Sequence, residues 1–415
     1  MNDRPVRLVV TDDCVRSRLT VFPRFILAIP HYFWLGVWSF GVFFSSIAQW
    51  AVTVVRGRGA QGLHNFHVGY IRYACHVGAY LALAANPYPK FLGHPRYPVD
   101  VDIDVGERQG RLGAFLRLLL AIPALVMVVA ISGGGPAGVG AYWAVSGGLV
   151  LIVAVLGWFA SLVLGRMPRG LRNLAAYGVR YTAEVYAYVL LVTPVYPSSN
   201  PTLPAGAGGL GVHPVRLVVD DDRRRSRLTT FFRLFLLVPH FVWFLLWWVL
   251  TVVVSVGQWA FTLVAGRPAT PLFRFLAAWT RYQTHVFAFG TLVANPFPGF
   301  TGTLRYPVDV VFDPPSRQRR LVTAFRGLLA IPAYIVSSAL GWLLYAAAIG
   351  GWFAALALGR MPQGLRDAGA HAIRYAAQLN GYVLFLTDRY PFSGPPSLDV
   401  PEQLELPVSA ERAQG

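Results

Sequence analysis

RFILAIPHYFWLGVWSFGVFFSSIAQWAVTVVRGRGAQGLHNFHVGYIR, residues 24–72, decides the fold. It opens on an arginine, passes a proline, and runs from 25 to 55 without an Asp, Glu, Lys or Arg. A Gly-Arg turn follows, and the stretch ends on Arg72, the first member of an Arg-Tyr pair. A helix needs about 20 apolar residues to cross the hydrocarbon of a bilayer. Residues 25–55 exceed that, and so do the equally uncharged tracts 118–165, 234–266 and 327–359. A buried helix of a soluble protein seldom stays uncharged for so long. Lipid is therefore expected to be part of the solvent.

The same construction occurs four times, and a repeat of this kind governs the fold. Arg24-to-Pro30 recurs as Arg117-to-Pro123, Arg233-to-Pro239 and Arg326-to-Pro332. A Gly-Arg pair follows, with its arginine at 58, 166, 267 and 360. The Arg-Tyr pair stands 14 residues later, at Arg72, Arg180, Arg281 and Arg374, and an aromatic-Pro pair 16 residues after that. The proline-to-Gly-Arg distance is 28 residues in three quarters and 43 in the second, where the extra 15 lie around ISGGGPAGVGAYWAVSGG. An offset of 209 residues carries PVRLVV, His31, Gln49, Arg72, His76 and Asn86 onto their second copies. Residues 1–197 and 213–393 are thus two tandem halves, joined by the flexible linker 198–212 and followed by a disordered tail, 394–415.

Composition agrees. Apolar residues make up 55% and charged residues 13%, well under the soluble average of about 25%. The net charge of +17 is nearly all arginine, and Lys90 is the only lysine. On an apolar chain such an excess points to anionic headgroups. No basic stripe with interleaved stacking aromatics appears, so nucleic acid is not an expected partner. Cys14 and Cys75 make neither a disulfide framework nor a metal box. The N-terminus lacks an apolar signal core.

Each quarter opens with a short alternating run, VRLVV or VDVDID in the first half and VRLVV or VDVVFD in the second, which reads as a strand. An acidic turn and an arginine-bearing helix start come next. The expected unit is a strand, an interfacial helix up to the proline, and a membrane helical hairpin. Its second helix is placed at about 66–85, 174–193, 275–294 and 368–387. The fold class is a mainly α-helical integral membrane protein of four such units, with about eight membrane helices and a re-entrant piece at the insertion. Arg24, Arg117, Arg233 and Arg326 are expected to reach headgroups. Two helices per quarter put all four strands on one face. That face carries 23 of the 36 basic residues, which places it, with the N-terminus, in the cytoplasm of a cell in whose plasma membrane the chain sits.

The order PVRLVVDDD, RSRLTTFFRLFLLVPH, a Trp-rich apolar run, GR, RY and NPFP resembles the bacterial membrane family catalogued as domain of unknown function 4389. The resemblance covers both halves, nearly all of residues 4–393. It implies an integral membrane protein and brings no activity, substrate or catalytic residue.

Four residues after each Arg-Tyr arginine stands a polar residue: His76 after Arg72, Glu184 after Arg180, His285 after Arg281, Gln378 after Arg374. Positions i and i+4 share a helix face. Ionisable groups within a bilayer are costly and often functional, so these eight are the candidate intramembrane or headgroup-facing positions. Recurrence in every quarter favours an architectural role over one active site. His31 and His240 are read as hydrogen-bonding at the bilayer surface, and Gln49 and Gln258 as gluing helices. His64 and His67 lack the partners of a metal site. GGGPAG lacks the lysine and serine or threonine of a phosphate loop. No catalytic residue, cofactor or metal is predicted, and an enzyme is not expected. The favoured function is a non-catalytic membrane scaffold or anionic-lipid-interacting protein. The alternative is a transporter or channel with a path between the halves.

Overall fold

The computed structural model describes residues 4–104, 108–132, 148–202 and 213–395. The first quarter holds strand β1 (Val6–Val10), one-turn helices α1 (Arg18–Val21) and α2 (Arg24–Leu27), the long α3 (Ile29–Arg56) and α4 (Gln61–Leu81). The second holds β2 (Val99–Ile103), α5 (Arg111–Phe115), α6 (Arg117–Ser132), α7 (Leu149–Leu164) and α8 (Arg169–Val189). The third holds β3 (Val215–Val219), α9 (Arg227–Phe231), α10 (Arg233–Leu236), α11 (Val238–Ala265) and α12 (Thr270–Gly290). The fourth holds β4 (Val308–Phe312), α13 (Arg320–Ala324), α14 (Arg326–Leu329), α15 (Ile331–Leu358) and α16 (Gln363–Val383). The expected re-entrant piece falls on 133–147, outside the described residues, as do most of the linker and of the tail.

The recurrent glycines and three of the four prolines mark helix ends; the break expected at Pro123 does not occur, since α6 runs through it from Arg117 to Ser132. Pro30, Pro239 and Pro332 occupy the first turn of α3, α11 and α15, where a missing N–H leaves no bond unmade. The glycine of each Gly-Arg pair ends the long helix in the left-handed region, with φ of 71° at Gly57, 68° at Gly165, 69° at Gly266 and 68° at Gly359.

Alternating valines give each strand one buried face. Val6, Leu8 and Val10 are buried, while Arg7 and Val9 face outward. The strands do not merge into one sheet. β1 pairs antiparallel with β2, Val6 opposite Ile103, and β3 with β4, Val215 opposite Phe312.

Successive quarters are inverted, which overturns the expected separation of a strand face from a turn face. Gln109, at the start of the second quarter, donates its N–H to Gly57, the turn that ends α3, at 2.9 Å. Arg16, at the start of the first, donates to Gly165, the turn that ends α7, at 3.0 Å. The second half repeats both contacts, Gln318 to Gly266 and Arg225 to Gly359, each at 2.9 Å. Each end of the molecule therefore mixes quarter starts with turns. The basic-residue tally, which assumed they lay apart, assigns no orientation.

Within each half the second helices form the middle layer, α4 on α8 and α12 on α16. The two-stranded sheet covers one side and the long helices flank the other. The halves meet along α15, which packs on α6 and α7 as well as on α16 and whose buried side chains include Val336, Ala339, Leu340 and Leu343. Among the described residues three helical stretches, against the eight or so expected, are long and apolar enough to cross a membrane: Arg24–Arg56, Arg233–Ala265 and Ile331–Leu358. They suggest a membrane protein. The second helices, which start about five residues earlier than expected, do not meet that standard; they carry buried polar side chains and are wrapped by the rest of the chain.

Gly302, with φ +62°, seats its loop on α12, where a Cβ would collide with the Ala278 carbonyl oxygen and meet the Tyr282 nitrogen at 2.9 Å. Gly302→Ala is expected to cost about 1–3 kcal/mol. Nothing lies within 4 Å of a Cβ at Gly341, so Gly341→Ala serves as control. Thermal unfolding in detergent checks this; equal Tm values for the two variants would refute the docking.

Candidate functional site

The second helices end in the same way four times. A residue in the left-handed region closes each: Leu83, Leu191, Leu292 and Phe385, with φ between 55° and 63°. Helix ends leave carbonyls without partners, and burial makes that expensive. The segment before the long helix supplies the donors. Arg16 Nη2 reaches the Leu83 carbonyl at 2.7 Å, Gln109 Nε2 that of Leu191 at 2.7 Å, Arg225 Nη2 that of Leu292 at 2.8 Å, and Gln318 Nε2 that of Phe385 at 2.8 Å.

The four arginines expected among headgroups do the same work inside the protein. Arg24, Arg117, Arg233 and Arg326 are at most 3% exposed. Arg24 Nη1 donates to the carbonyls of Tyr80 at 2.7 Å and Ala85 at 3.0 Å. Arg326 Nη1 donates to Tyr382 at 2.6 Å and Thr387 at 3.1 Å. Arg233 repeats this on Phe289 and Ala294, and Arg117 on Thr193. Each guanidinium also lies over an aromatic ring of the helix it caps, Arg24 over Tyr80 at 4.3 Å and Arg117 over Tyr188 at 4.1 Å. The correction has a simple cause. Buried carbonyl groups at a negative helix end attract a fixed cation more specifically than dispersed lipid phosphates do.

The Arg-Tyr pairs point two ways because neighbouring helix positions lie about 100° apart. The tyrosine faces the long helix. Tyr73 hydroxyl and His31 Nδ1 are 2.6 Å apart, Tyr282 and His240 3.0 Å, and Tyr181 donates to the Ala124 carbonyl at 3.3 Å. His31 and His240 are thus fully buried between helices, not at a bilayer surface.

The arginine and its i+4 partner face the sheet or the segment after the helix. In odd quarters they form a cluster with a strand aspartate. Arg72 Nε donates to the Val101 carbonyl at 3.2 Å and lies 3.3 Å from Asp100 Oδ1, which His76 Nε2 meets at 2.9 Å. Tyr97 stacks on His76, with centroids 4.6 Å apart. Arg281, His285, Asp309 and Tyr306 repeat the arrangement, with Arg281 Nε 2.9 Å from the Val310 oxygen and His285 Nε2 3.0 Å from Asp309. In even quarters no strand aspartate takes part, and the partners are backbone groups and, at Glu184, the Arg4 side chain. Glu184 accepts from Arg180 at 2.9 Å, from Arg4 at 3.2 Å and from the Ser198 N–H at 2.7 Å. Gln378 donates to the Val215 carbonyl at 3.2 Å and accepts from the Phe392 N–H at 3.0 Å, and Arg374 donates to Gly394. The ends of the supposedly loose segments 198–212 and 394–415 are therefore tied to α8 and α16.

The structure brings the eight candidates together in pairs, never in one place. Sequence reasoning missed their partners Asp100, Asp309 and Arg4. The signal was present, since each aspartate stands 24 residues after its histidine in both halves. Burial works to raise the Asp100 carboxyl, but the His76 hydrogen bond, the charges of His76 and Arg72 and the Arg96 N–H together hold it below the usual carboxylate range.

Other candidates also bond within the chain. His67 Nε2 meets Ser45 Oγ at 2.9 Å, and among the described residues no three His, Cys, Asp or Glu side chains are grouped to hold a metal. Gln49 Oε1 accepts the Ala60 N–H at the start of α4 at 3.2 Å. A cavity of about 40 Å³ lies between α4 and α8, lined by Leu35, Ala74, Cys75, Gly78, Val150 and Val179 among others. Its Ser132 and Thr182 hydroxyls bond backwards to the helix carbonyls of Val128 and Gly178.

A family model described as Domain of unknown function (DUF4389) matches residues 18–93, 139–199, 227–301 and 320–393, more than half of the chain. The chain belongs to this family. One DUF4389 segment falls in each quarter, and all four include the second helix and its capped end. The strands lie outside the DUF4389 segments. No curated protein and no solved structure matches the chain.

Two outcomes follow from the geometry. Arg24→Met removes donors from buried carbonyls, at about 1–3 kcal/mol for each group left unsatisfied. Arg56→Met, at an exposed position, stays within about 0.5 kcal/mol of wild type. Denaturant unfolding in detergent micelles checks both. The depressed Asp100 contributes stability that is complete above the ordinary carboxylate range and is lost as pH falls through its lower folded value. Asp100→Asn should therefore flatten the acid limb of a Tm-against-pH profile; an acid limb identical to that of wild type would refute the assignment.

Proposed function

We propose that this protein is a non-catalytic membrane scaffold that interacts with anionic lipid, located at the plasma membrane. One observation carries the reading. The recurrent polar positions, from Arg24 to Gln378, engage the chain's own backbone and side chains, and so hold helix to strand and tail to helix. An active site needs groups that converge on a reacting atom. These groups diverge into separate structural joints.

The lipid preference rests on the short helices. Leu19 and Phe22 beside α1, Leu112 and Phe115 on α5, and Leu321 and Phe325 beside α13 are all more than half exposed. Each pair accompanies an exposed arginine, Arg18, Arg111 or Arg320. Apolar side chains beside arginine suit the headgroup boundary of an anionic leaflet. A path between the halves gains no support, since α15 meets α6 and α7 through apolar side chains.

The reading predicts no solute-dependent flux from proteoliposomes of the full chain. It also predicts that native mass spectrometry finds retained phosphatidylglycerol in preference to phosphatidylcholine. Flux that disappears in Glu184→Gln or Arg180→Ala would replace the scaffold with a transporter.

A further inference from the structure

We infer that the long helices lie along one leaflet, seating the protein on the membrane by an apolar face, rather than crossing the bilayer. The inference rests on the membrane reading above and adds how the chain sits.

The decisive feature is the height of the sheets. Arg72 and Arg180 stand at the middle of α4 and α8, and they or their i+4 partners bind β2, Arg4 and the backbone beside the sheet. α4 runs back along α3, with His31 against Tyr73, Ser39 against Tyr70 and Ser45 against His67. The sheet is thus level with the middle of α4 and α8, not beyond an end of either. Its outer face carries Arg7, Asp102 and Asp104 in one ion cluster, with side chains 43%, 61% and 47% exposed. The second half carries Arg216 with Asp313, 2.9 Å apart, at the corresponding place.

If α4 and α8 stood across a bilayer together with α3, these charges would lie within the hydrocarbon, at about 2.5–3.5 kcal/mol each near its centre. Two-stranded ladders would also expose open edges to hydrocarbon, where such edges do not occur. With the helices lying flat, the conflict disappears. The exposed residues of α3 then form one stripe along its full length of about 42 Å. Phe33, Phe40, Phe44 and Ile47 belong to it. α11 offers Phe241, Leu245 and Val249, and α15 offers Trp342, Ile349 and Phe353. The charged sheets lie across the second helices from the long helices, and so on the water side. The arginines of the short helices lie at the rim, and the net charge of +17 draws the face to an anionic leaflet.

Spin labels at single cysteines test the seat. Labels replace Phe33, Phe43, Val55 and Asp102 in full-length chain carrying Cys14→Ser and Cys75→Ser, reconstituted into vesicles of phosphatidylglycerol and phosphatidylcholine. Power saturation reads their depth. The three α3 labels should share one shallow depth, about 5–10 Å below the headgroup boundary. The Asp102 label should be in water. A Phe43 label at the bilayer centre with Phe33 and Val55 at opposite surfaces overturns the inference. A protein that stays off the vesicles as a face-to-face dimer overturns it too, together with the membrane reading. The unmodified chain gives a second test: its tryptophans should be quenched more by lipids brominated near the carbonyl than by lipids brominated near the chain middle, and the reverse order counts against the flat seat. Solute flux, in contrast, would remove the scaffold reading and leave the depth pattern standing.

Discussion

Four buried helix ends set the terms of this structure. Each second helix stops inside the protein, where its last carbonyls have no water to turn to. An unpaired buried carbonyl costs about 1–3 kcal/mol, a large part of a domain's net stability. An arginine at the start of the long helix answers it, and an arginine or glutamine a few residues earlier answers the left-handed residue beyond. One device thereby fixes three things at once: where the second helix stops, how the long helix starts, and how the two lie against each other. The rest of the quarter is placed by it.

The inversion of neighbouring quarters follows from the same economy of unmet groups. A Gly-Arg turn leaves carbonyls at the end of a long helix, and the neighbouring quarter's start supplies the N–H. Gly57 is met by Gln109 and Gly165 by Arg16, so each quarter closes the other. Antiparallel pairing of β1 with β2 accords with this inversion, and the odd and even clusters take different partners. A strand lies beside Arg72 and Arg281, whereas an extended tail lies beside Arg180 and Arg374.

Much of this was legible in residues alone, because the repeat is written in them. The prolines, the Gly-Arg turns, the alternating valines and the long uncharged tracts each have one local meaning, and all but Pro123, which α6 runs through, landed where local rules put them. What was not legible was anything that depends on a neighbour. Arg24 reads as a snorkelling residue when only its own helix is considered; its partners at Tyr80 and Ala85 lie 56 and 61 residues away. Asp100 is one acid within an alternating strand run until His76 is set against it. The orientation tally failed for the same reason, since it took order along the chain for order in space.

This distinction bears on how hydropathy should be read here. The uncharged tract 25–55, which covers α3 up to its last residue, satisfies the length condition for crossing a bilayer, yet length constrains only the helix itself. What the helix carries with it is a second constraint. A spanning segment must bring no exposed charge and no open strand edge to mid-depth, whatever its own composition. α3 is bound to α4, and α4 to a sheet bearing Arg7, Asp102 and Asp104 at the level of its centre. The apolar stripe and the charged sheet cannot both be satisfied across the bilayer, but they can be satisfied on either side of its surface. A tract that reads as a span in isolation thus becomes, in the company its arginines impose, one rib of a surface.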